Sequence, residues 1–509
     1  MARNGPTRGV ASTLVETVSR PWPALWALVI GFFMILVDST IVSIANPAIL
    51  RDLQTDITAV IWVTSAYLLS YAVPLLITGR LGDRFGPKRI YLIGLVVFTL
   101  ASLWCGFSGD IGMLIAARAV QGLGAALMTP QTMSVITRIF APDKRGAAMG
   151  LWGAVAGVAT LVGPILGGFL VDGLGWEWIF FVNVPVGVVA FILAWRLVPD
   201  LETKAHSFDW LGVVLSAVGL FLLVFGIQEG ETFDWGQIVG PISVWGLIVS
   251  GVVVLIGFVV WQRFNRKEPL LPLGLFRDRN FTVANLGISV LGLAIVSMPL
   301  PIAFYFQTAR ALEPTQAALM LVPMAVVSGV MAPFVGRLTD RTEPRWIAFA
   351  GFLIVAAALG WMSLLMTADT PLWQLLIPPA FLGLGLSGLW APLATSATRN
   401  LPPALAGAGS GVYNMTRQVG SVLGSAAIAA LISSRLAAEL PGMPADAAEQ
   451  SSGALPPAVA EGFSAALGQS LLLPIAAFLA GAVVVLFFEK PRAAAASSSA
   501  EPVQTHEQA

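Results

Sequence analysis

Gly79–Arg89 reads GRLGDRFGPKR, with five charged residues and three glycines set between two long apolar runs. A stretch so polar does not enter hydrocarbon, and it is too short to be a domain. It reads as a tight, charged turn where two membrane helices double back on one face of a bilayer. The pattern returns in weakened form, since GRLGDR at 79–84 recurs as GRLTDR at 336–341, again after an apolar run. A repeat of this kind divides a chain into two related halves.

Working outward, the composition fits a polytopic membrane protein. Of 509 residues, 57% are hydrophobic and 11% charged, with a mean hydropathy of +0.82. A soluble domain carries about 25% charged residues. A spanning helix needs about 20 mostly apolar residues. Fourteen such segments are expected, near 24–50, 58–79, 89–108, 111–137, 147–171, 178–198, 209–229, 238–262, 281–307, 315–336, 345–366, 372–397, 405–434 and 466–488.

Basic residues sort these segments by side, because they concentrate in cytoplasmic loops. With the N-terminus inside, the cytoplasmic segments hold Arg80, Arg84, Lys88, Arg89, Arg138, Lys144, Arg145, Arg196, Lys204, Arg263, Arg266, Lys267, Arg277, Arg279, Arg337, Arg341, Arg345, Arg399, Lys490 and Arg492. The other side receives Arg51, Arg310 and Arg435, together with acids such as Asp110, Asp172, Glu229, Glu313 and Asp369. The sorting supports an even count with both termini cytoplasmic.

The two motif copies follow the second and tenth helices, eight apart rather than six. Two helices inserted between six-helix halves account for this. The expected division is a cytoplasmic arm at 1–23, a six-helix bundle at 24–198, two inserted helices with their linkers at 199–279, a second bundle at 280–488 and a tail at 489–509. The stretch between about 436 and 464 is expected to be an external loop.

Several chemistries are excluded. Cys105 is the single cysteine, and His206 and His506 lie in a polar loop and a polar tail, so neither a disulfide, a cysteine metal cluster nor a buried histidine relay is available. GxxxxGK[ST], HExxH and GxSxG do not occur, so no phosphate-cradling loop or hydrolytic centre is encoded. The expectation is no enzyme, no catalytic residue, no metal, no cofactor and no nucleic-acid partner. Any pumping must draw on an ion gradient or a separate ATPase.

Asp38 lies in ALWALVIGFFMILVDSTIVSIANPAIL, and an ionised carboxylate at such a depth costs on the order of 2.5–3.5 kcal/mol. It must face the bundle interior, either handling protons or cations or resting on neighbouring hydroxyls such as Ser39 and Thr40. Arg118 is the one basic residue deep in a helix of the first half. At 1.5 Å per residue it lies roughly 10 Å from the outer end of its helix, against roughly 18 Å for Asp38. The two share the outer half of the membrane, where a permanently charged guanidinium can couple to the acid or tie helices through carbonyls.

In the fifth helix, Gly163, Pro164, Gly167 and Gly168 lie mid-membrane, where glycine permits close helix approach. Trp62, Tyr67, Gln121, Tyr305, Gln307 and Asn414, with Tyr71, Asn183 and Gln418, are candidates to line an apolar pocket for lipophilic ligands, or else packing and interface residues.

These motifs together resemble the major facilitator superfamily, and within it the fourteen-helix drug:proton antiporter branch, over residues 24–488. GRLGDRFGPKR is similar to that superfamily's loop between helices two and three, with Gly79, Leu81, Asp83, Arg84, Gly86 and Lys88 in register. It departs at Gly82 and Pro87, and Lys88 and Arg89 keep the charge. RAVQGLGAA, holding Arg118, Gln121 and Gly122, resembles the helix-four motif. GPILGG resembles the helix-five antiporter motif, LVDSTIVSIANPAI the first-helix motif that carries its acid at Asp38, and WEWIFFVNVPVG the approach to helix six.

The resemblance implies an all-α integral membrane protein of the major facilitator fold, two six-helix bundles plus two inserted helices, opening alternately to either side of the cell membrane. It also implies export of lipophilic, often cationic drugs in exchange for protons, with antibiotic resistance as the outcome. Asp38 and Arg118 would couple the proton. Gly79, Asp83, Arg84, Gly86, Lys88 and Arg89, with Gly336, Asp340 and Arg341, would form the gating loops. Asp83, near the start of the third helix, is expected to cap exposed amides and pair with a base across the interface between halves. Glu343 stands where Gly86 does in the first copy, so the first latch is expected to be the stronger. The partners implied are lipid, protons and small lipophilic substrates, with a monomeric chain and a periplasmic adaptor left open. An exporter of one endogenous metabolite or lipid, a nutrient symporter and a non-transporting sensor are the rival readings.

Overall fold

A computed structural model describes residues 21–55, 57–141, 143–203, 209–230, 232–265, 269–440 and 457–489. Most of the N-terminal arm, most of the tail, Lys204, His206, Arg266, Lys267 and positions 441–456 lie outside the described residues. Among the described residues thirteen helices are long and apolar enough to cross a membrane, and fourteen if one bent pair is a single span. In hydrocarbon a helix satisfies its own backbone, which is why apolar runs of this length fold so.

Counting the bent pair as α2, the spans are α1 (Pro21–Asp52), α2 (Ile57–Ala72 and Leu75–Phe85), α3 (Pro87–Gly106), α4 (Ile111–Ile139), α5 (Arg145–Leu174), α6 (Trp178–Leu197) and α7 (Trp210–Gln228). They continue with α8 (Val244–Phe264), α9 (Arg279–Ala309), α10 (Gln316–Arg341), α11 (Pro344–Leu365), α12 (Leu372–Thr398), α13 (Ala406–Glu439) and α14 (Val459–Val485). The 46° bend inside α2 falls at Pro74, which has no N–H to donate and whose ring displaces the carbonyl one turn back.

Short polar signals fix the ends. The Asp110 carboxylate accepts from Met113 N at 2.9 Å, that of Asp278 from Phe281 N at 2.8 Å, and the Ser243 hydroxyl from Gly246 N at 3.0 Å, each supplying an amide left over at a helix start. Asp209 ties α7 to α8. It accepts from Gly212 N and from Trp261 Nε1 at 2.9 Å each, and from Gln262 Nε2 at 2.7 Å. Burial pushes its carboxyl up, but the hydrogen bonds from Trp261, Gly212, Gln262 and Leu270 outweigh it and hold the carboxyl below the usual range.

Four expectations need correction. Gly79–Phe85 is not a loop but the last helical turns of α2. The turn itself is Gly86 at φ +95°, followed by Pro87 at the first position of α3, a backbone conformation that only glycine adopts freely. The fold is all-helical as expected, but α8 starts later than expected. Gln237–Val239 and Ile242–Ser243 pair as a two-stranded antiparallel ribbon, β1 and β2, where α8 was expected to begin. Gly240 at φ +55° turns this ribbon, and Ser243 then starts the helix. The stretch expected as a loop at 436–464 is helical at both of its ends, because α13 runs to Glu439 and Pro457–Ser470 is helix. At the other end α1 begins at Pro21, inside the expected arm.

α1 packs on α5 and α6, and α4 on α2 and α3; later in the chain α9 packs on α13 and α14, and α12 on α10 and α11. Between these groups α5 meets α10 and α12, while α2 meets α13. α7 and α8 pack mainly on each other, with α7 also touching α2 and α13.

Candidate functional site

Asp38 sits just past the middle of α1 with no exposed surface, and Arg118 and Gln121 of α4 are equally buried. Arg118 Nη1 stands 2.5 Å from Asp38 Oδ2. Asp38 Oδ1 accepts from Gln121 Nε2 at 2.8 Å and from Asn183 Nδ2 of α6 at 2.9 Å. Position 118 and position 121 lie one turn apart, on one face of α4, and Arg118 Nη1 also donates to Gln121 Oε1 at 2.7 Å.

Outside this ring, Asn183 donates to Ser102 Oγ at 3.0 Å, Cys105 Sγ lies 3.7 Å from Gln121 Oε1, and Arg118 Nε donates to Val63 O at 3.3 Å. The guanidinium carbon rests 4.1 Å from the centre of the Tyr67 ring, an attraction of a cation for an aromatic face that strengthens without water. The hydroxyls of Ser39 and Thr40 turn instead to carbonyls of their own helix, so the carboxylate does not rest on them. A buried ion pair of this kind is held by its surroundings, since each partner alone would be an uncompensated charge.

The helix-five glycines set the distance between α5 and α1. A Cβ on Gly163 would stand 1.9 Å from Thr40 Oγ1, and one on Gly167 2.8 Å from Ile41 Cγ1, whereas one on Gly168 would meet nothing within 4 Å. Pro164 lies within an unbroken helix. Gly163→Ala is therefore expected to destabilise the protein by about 1–3 kcal/mol through overpacking, and Gly168→Ala to leave its thermal melt unchanged. Equal melts for the two variants would show that the stripe does not position α1.

At one face of the bundle, two carboxylates reach across it. Asp83, near the end of α2, accepts from Gly407 N and Ala408 N at 2.8 Å each, the first amides of α13. Asp340, near the end of α10, accepts from Gly146 N at 2.6 Å and Ala147 N at 3.0 Å, the first amides of α5. Each carboxylate thus occupies the positive end of a helix, where unpaired amides favour an anion.

The base paired with Asp83 is Arg138 of α4, at 2.6 Å, so it comes from its own side of the seam rather than from across it. Asp340 has no ion pair within 4.0 Å among the described residues. Gly79 meets Gly407 so closely that a Cβ on Gly79 would lie 2.3 Å from the Gly407 carbonyl oxygen, and Gly336 approaches Gly146 similarly. Arg84 lies over Phe85, Lys88 reaches Asp200 at 3.5 Å, and Arg89 and Arg341 point to the surface. None of these four touches the carboxylates.

Between α1, α2, α7, α9 and α13 lies a cavity of about 190 Å³, with Ile35, Ser39, Tyr67, Tyr71, Gln228 and Arg417 in its wall. Of the residues proposed for a pocket, this wall includes Tyr67, Tyr71 and Gln418. Trp62 instead packs at a tilt against Phe225, Gln121 belongs to the Asp38 cluster, and Tyr305 donates to Thr367 O. Gln307 is exposed, and Asn414 donates to Ser410 O of its own helix. Glu229, next to Gln228, is buried, and burial pushes its carboxyl up. The sequence does not single out Arg417, and it places Asn183 among pocket candidates rather than on Asp38. An amide within an apolar helix is the one signal for Asn183.

A bundle of this many spans, with a cavity between helices of both its packed groups and reciprocal carboxylate-to-helix contacts on one face, defines a multi-pass membrane transporter. The chain belongs to the Major Facilitator Superfamily, whose model matches residues 28–425. It is 54% identical over 475 residues to an uncharacterised transporter of that superfamily from Mycobacterium tuberculosis, covering 92% of this chain and 81% of the relative. It is 35% identical over 435 residues to the tetracenomycin C resistance and export protein of Streptomyces glaucescens, covering 84% of this chain and 79% of the relative. Among solved structures, a proton:xylose symporter superposes with a TM-score of 0.64 at 12% identity, over 92% of this chain and 96% of that one, a likeness of fold alone.

Proposed function

We propose that this protein is a proton-coupled antiporter of the fourteen-helix drug:proton branch, exporting lipophilic small molecules from the cell by alternating access. α1–α6 and α9–α14 form its two halves, α7 and α8 are the insertion, and the face carrying Asp83 and Asp340 is cytoplasmic, with both termini on that side. The observation that carries the reading is the Asp38 carboxylate. It is fully buried on three donors from two other helices, one turn from the cavity-lining Ile35 and next to Ser39. A carboxylate so held gives up its partners when protonated, which ties proton uptake to the relative positions of α1, α4 and α6.

With Asp83 and Asp340 both engaged, the cytoplasmic side is closed, and this arrangement is the outward-facing member of the cycle. Protonation from outside frees Arg118 and releases the seam, and substrate enters once the latches part. The Streptomyces relative's description as a resistance and export protein supports the direction of transport.

The test is purified protein in liposomes with an acidic lumen and a panel of fluorescein, rhodamine 6G and ethidium, against protein-free liposomes. Accumulation of at least one dye in the lumen, collapsed by nigericin, is expected. Dye movement indifferent to the pH gradient would refute proton coupling, and movement in the direction of the protons would make the protein a symporter.

A further inference from the structure

The geometry points to an organic anion as the ligand of the cavity between α1, α2, α7, α9 and α13, with Arg417 as the group that holds its carboxylate or phenolate. This builds on the reading of the protein as an exporter and names the charge of what it exports. Among the described residues, Arg417 is the one charged residue in the cavity wall, and no carboxylate lines it. Among the described residues no acid stands within 4.0 Å of its guanidinium. Its Nη2 donates to Tyr71 Oη at a long 3.4 Å, and its Nε is buried without a partner.

The contrast is Arg118, whose charge Asp38 neutralises at 2.5 Å. A guanidinium does not deprotonate in a protein, and an uncompensated charge at membrane depth marks a ligand path. The planar fork matches a carboxylate in two parallel hydrogen bonds. The rest of the wall suits the body of such a ligand, with Leu68, Val296 and Val422 apolar and Ser39, Ser421 and Ser425 offering neutral hydroxyls. A cationic ligand would instead face Arg417 with, among the described residues, no carboxylate in the wall to offset the repulsion.

The position of Arg417 links the ligand to the seam. The Arg417–Tyr71 contact joins α13 to α2, the same two helices that Asp83 fastens at Gly407 and Ala408. Tyr71 in turn donates to Thr129 Oγ1 at 3.2 Å. An anion that takes over the Arg417 donors frees Tyr71 and loosens α13 from α2 at the cavity.

The test is equilibrium binding to the full chain in nanodiscs, read by fluorescence anisotropy with no pH gradient. Fluorescein and rhodamine 6G share a xanthene body and carry opposite charge. Fluorescein is expected to bind at least about tenfold more tightly, as one charge-assisted contact allows. Arg417→Gln is expected to remove that preference, and Arg417→Lys, which keeps the charge without the fork, to fall between. A protein that does not bind fluorescein, that prefers rhodamine 6G, or that keeps its preference in Arg417→Gln overturns the assignment. The two-dye comparison on the unmodified protein decides the matter even where Arg417→Gln does not fold. Failure here leaves proton-coupled export standing, and export indifferent to a pH gradient leaves fluorescein on Arg417 standing.

Discussion

Asp38→Asn is expected to bring gradient-driven dye accumulation down to the rate of protein-free liposomes. The asparagine has nearly the same shape, so packing of α1 against α5 is kept. What changes is charge and the direction of one hydrogen bond. An amide Nδ2 in place of Oδ2 would set a donor against Arg118 Nη1, and Gln121 and Asn183 would both still need an acceptor. Arg118, with no exposed surface, would then be a buried charge without its partner, a loss of about 3–5 kcal/mol.

A drop in transport alone would therefore not separate coupling from folding. The double variant Asp38→Asn/Arg118→Met separates them, because removing both members of a buried pair restores most of the stability lost with one. Its thermal melt is expected to lie above that of Asp38→Asn while its gradient-driven transport stays absent. Transport that returns along with stability would show that the pair is a structural tie and that protons are handled elsewhere.

Much of this was readable before any coordinates. Long apolar runs and the sorting of arginines placed the helices, because hydrocarbon leaves the backbone little choice. The depth argument for Asp38 and Arg118 used only helical rise, and the two residues are in contact. The failures have physical causes as well. Residues 237–243 alternate too briefly for periodicity to tell a strand from the start of a helix. Gly79–Phe85 looked like a loop because its charges lie outside hydrocarbon, yet a helix continues past the bilayer where its polar face is paired. Arg417 is preceded in α13 by the small and polar run AGAGSG at 406–411, which reads as a helix just leaving the cytoplasm rather than one deep in the membrane. Which amide faces Asp38 depends on the rotation of α6, and that is set by packing rather than by the pattern of the α6 sequence.

The second large effect is expected at Asp83. Asp83→Ala leaves Gly407 N, Ala408 N and Arg138 without their acceptor. Hydrogen bonds to a charged group contribute about 1.5–3 kcal/mol each, so losing them shifts the balance of the two facing states by roughly a hundredfold or more away from closure on that side. Turnover should then fall by at least about tenfold, because the cycle waits on a closure now rarely reached, while fluorescein affinity is kept or rises, since the ligand and the lost latch both favour a parted seam. Asp340→Ala should do less. Its carboxylate holds two amides and, among the described residues, no base, whereas Asp83 also holds Arg138.

Gly79→Ala tests the same closure by steric means. Its Cβ would stand 2.3 Å from the Gly407 carbonyl oxygen, so α2 could not reach α13 even with Asp83 intact. If closure at this seam limits the cycle, Gly79→Ala and Asp83→Ala share one phenotype, slow turnover with retained binding, and combining them adds little. If either variant loses fluorescein binding while turnover per bound ligand is kept, the seam belongs to the binding site and is not a gate. The repeated GRLxDR motif, with a small residue for approach and a carboxylate for the partner helix start one turn later, is the sequence form of that closure.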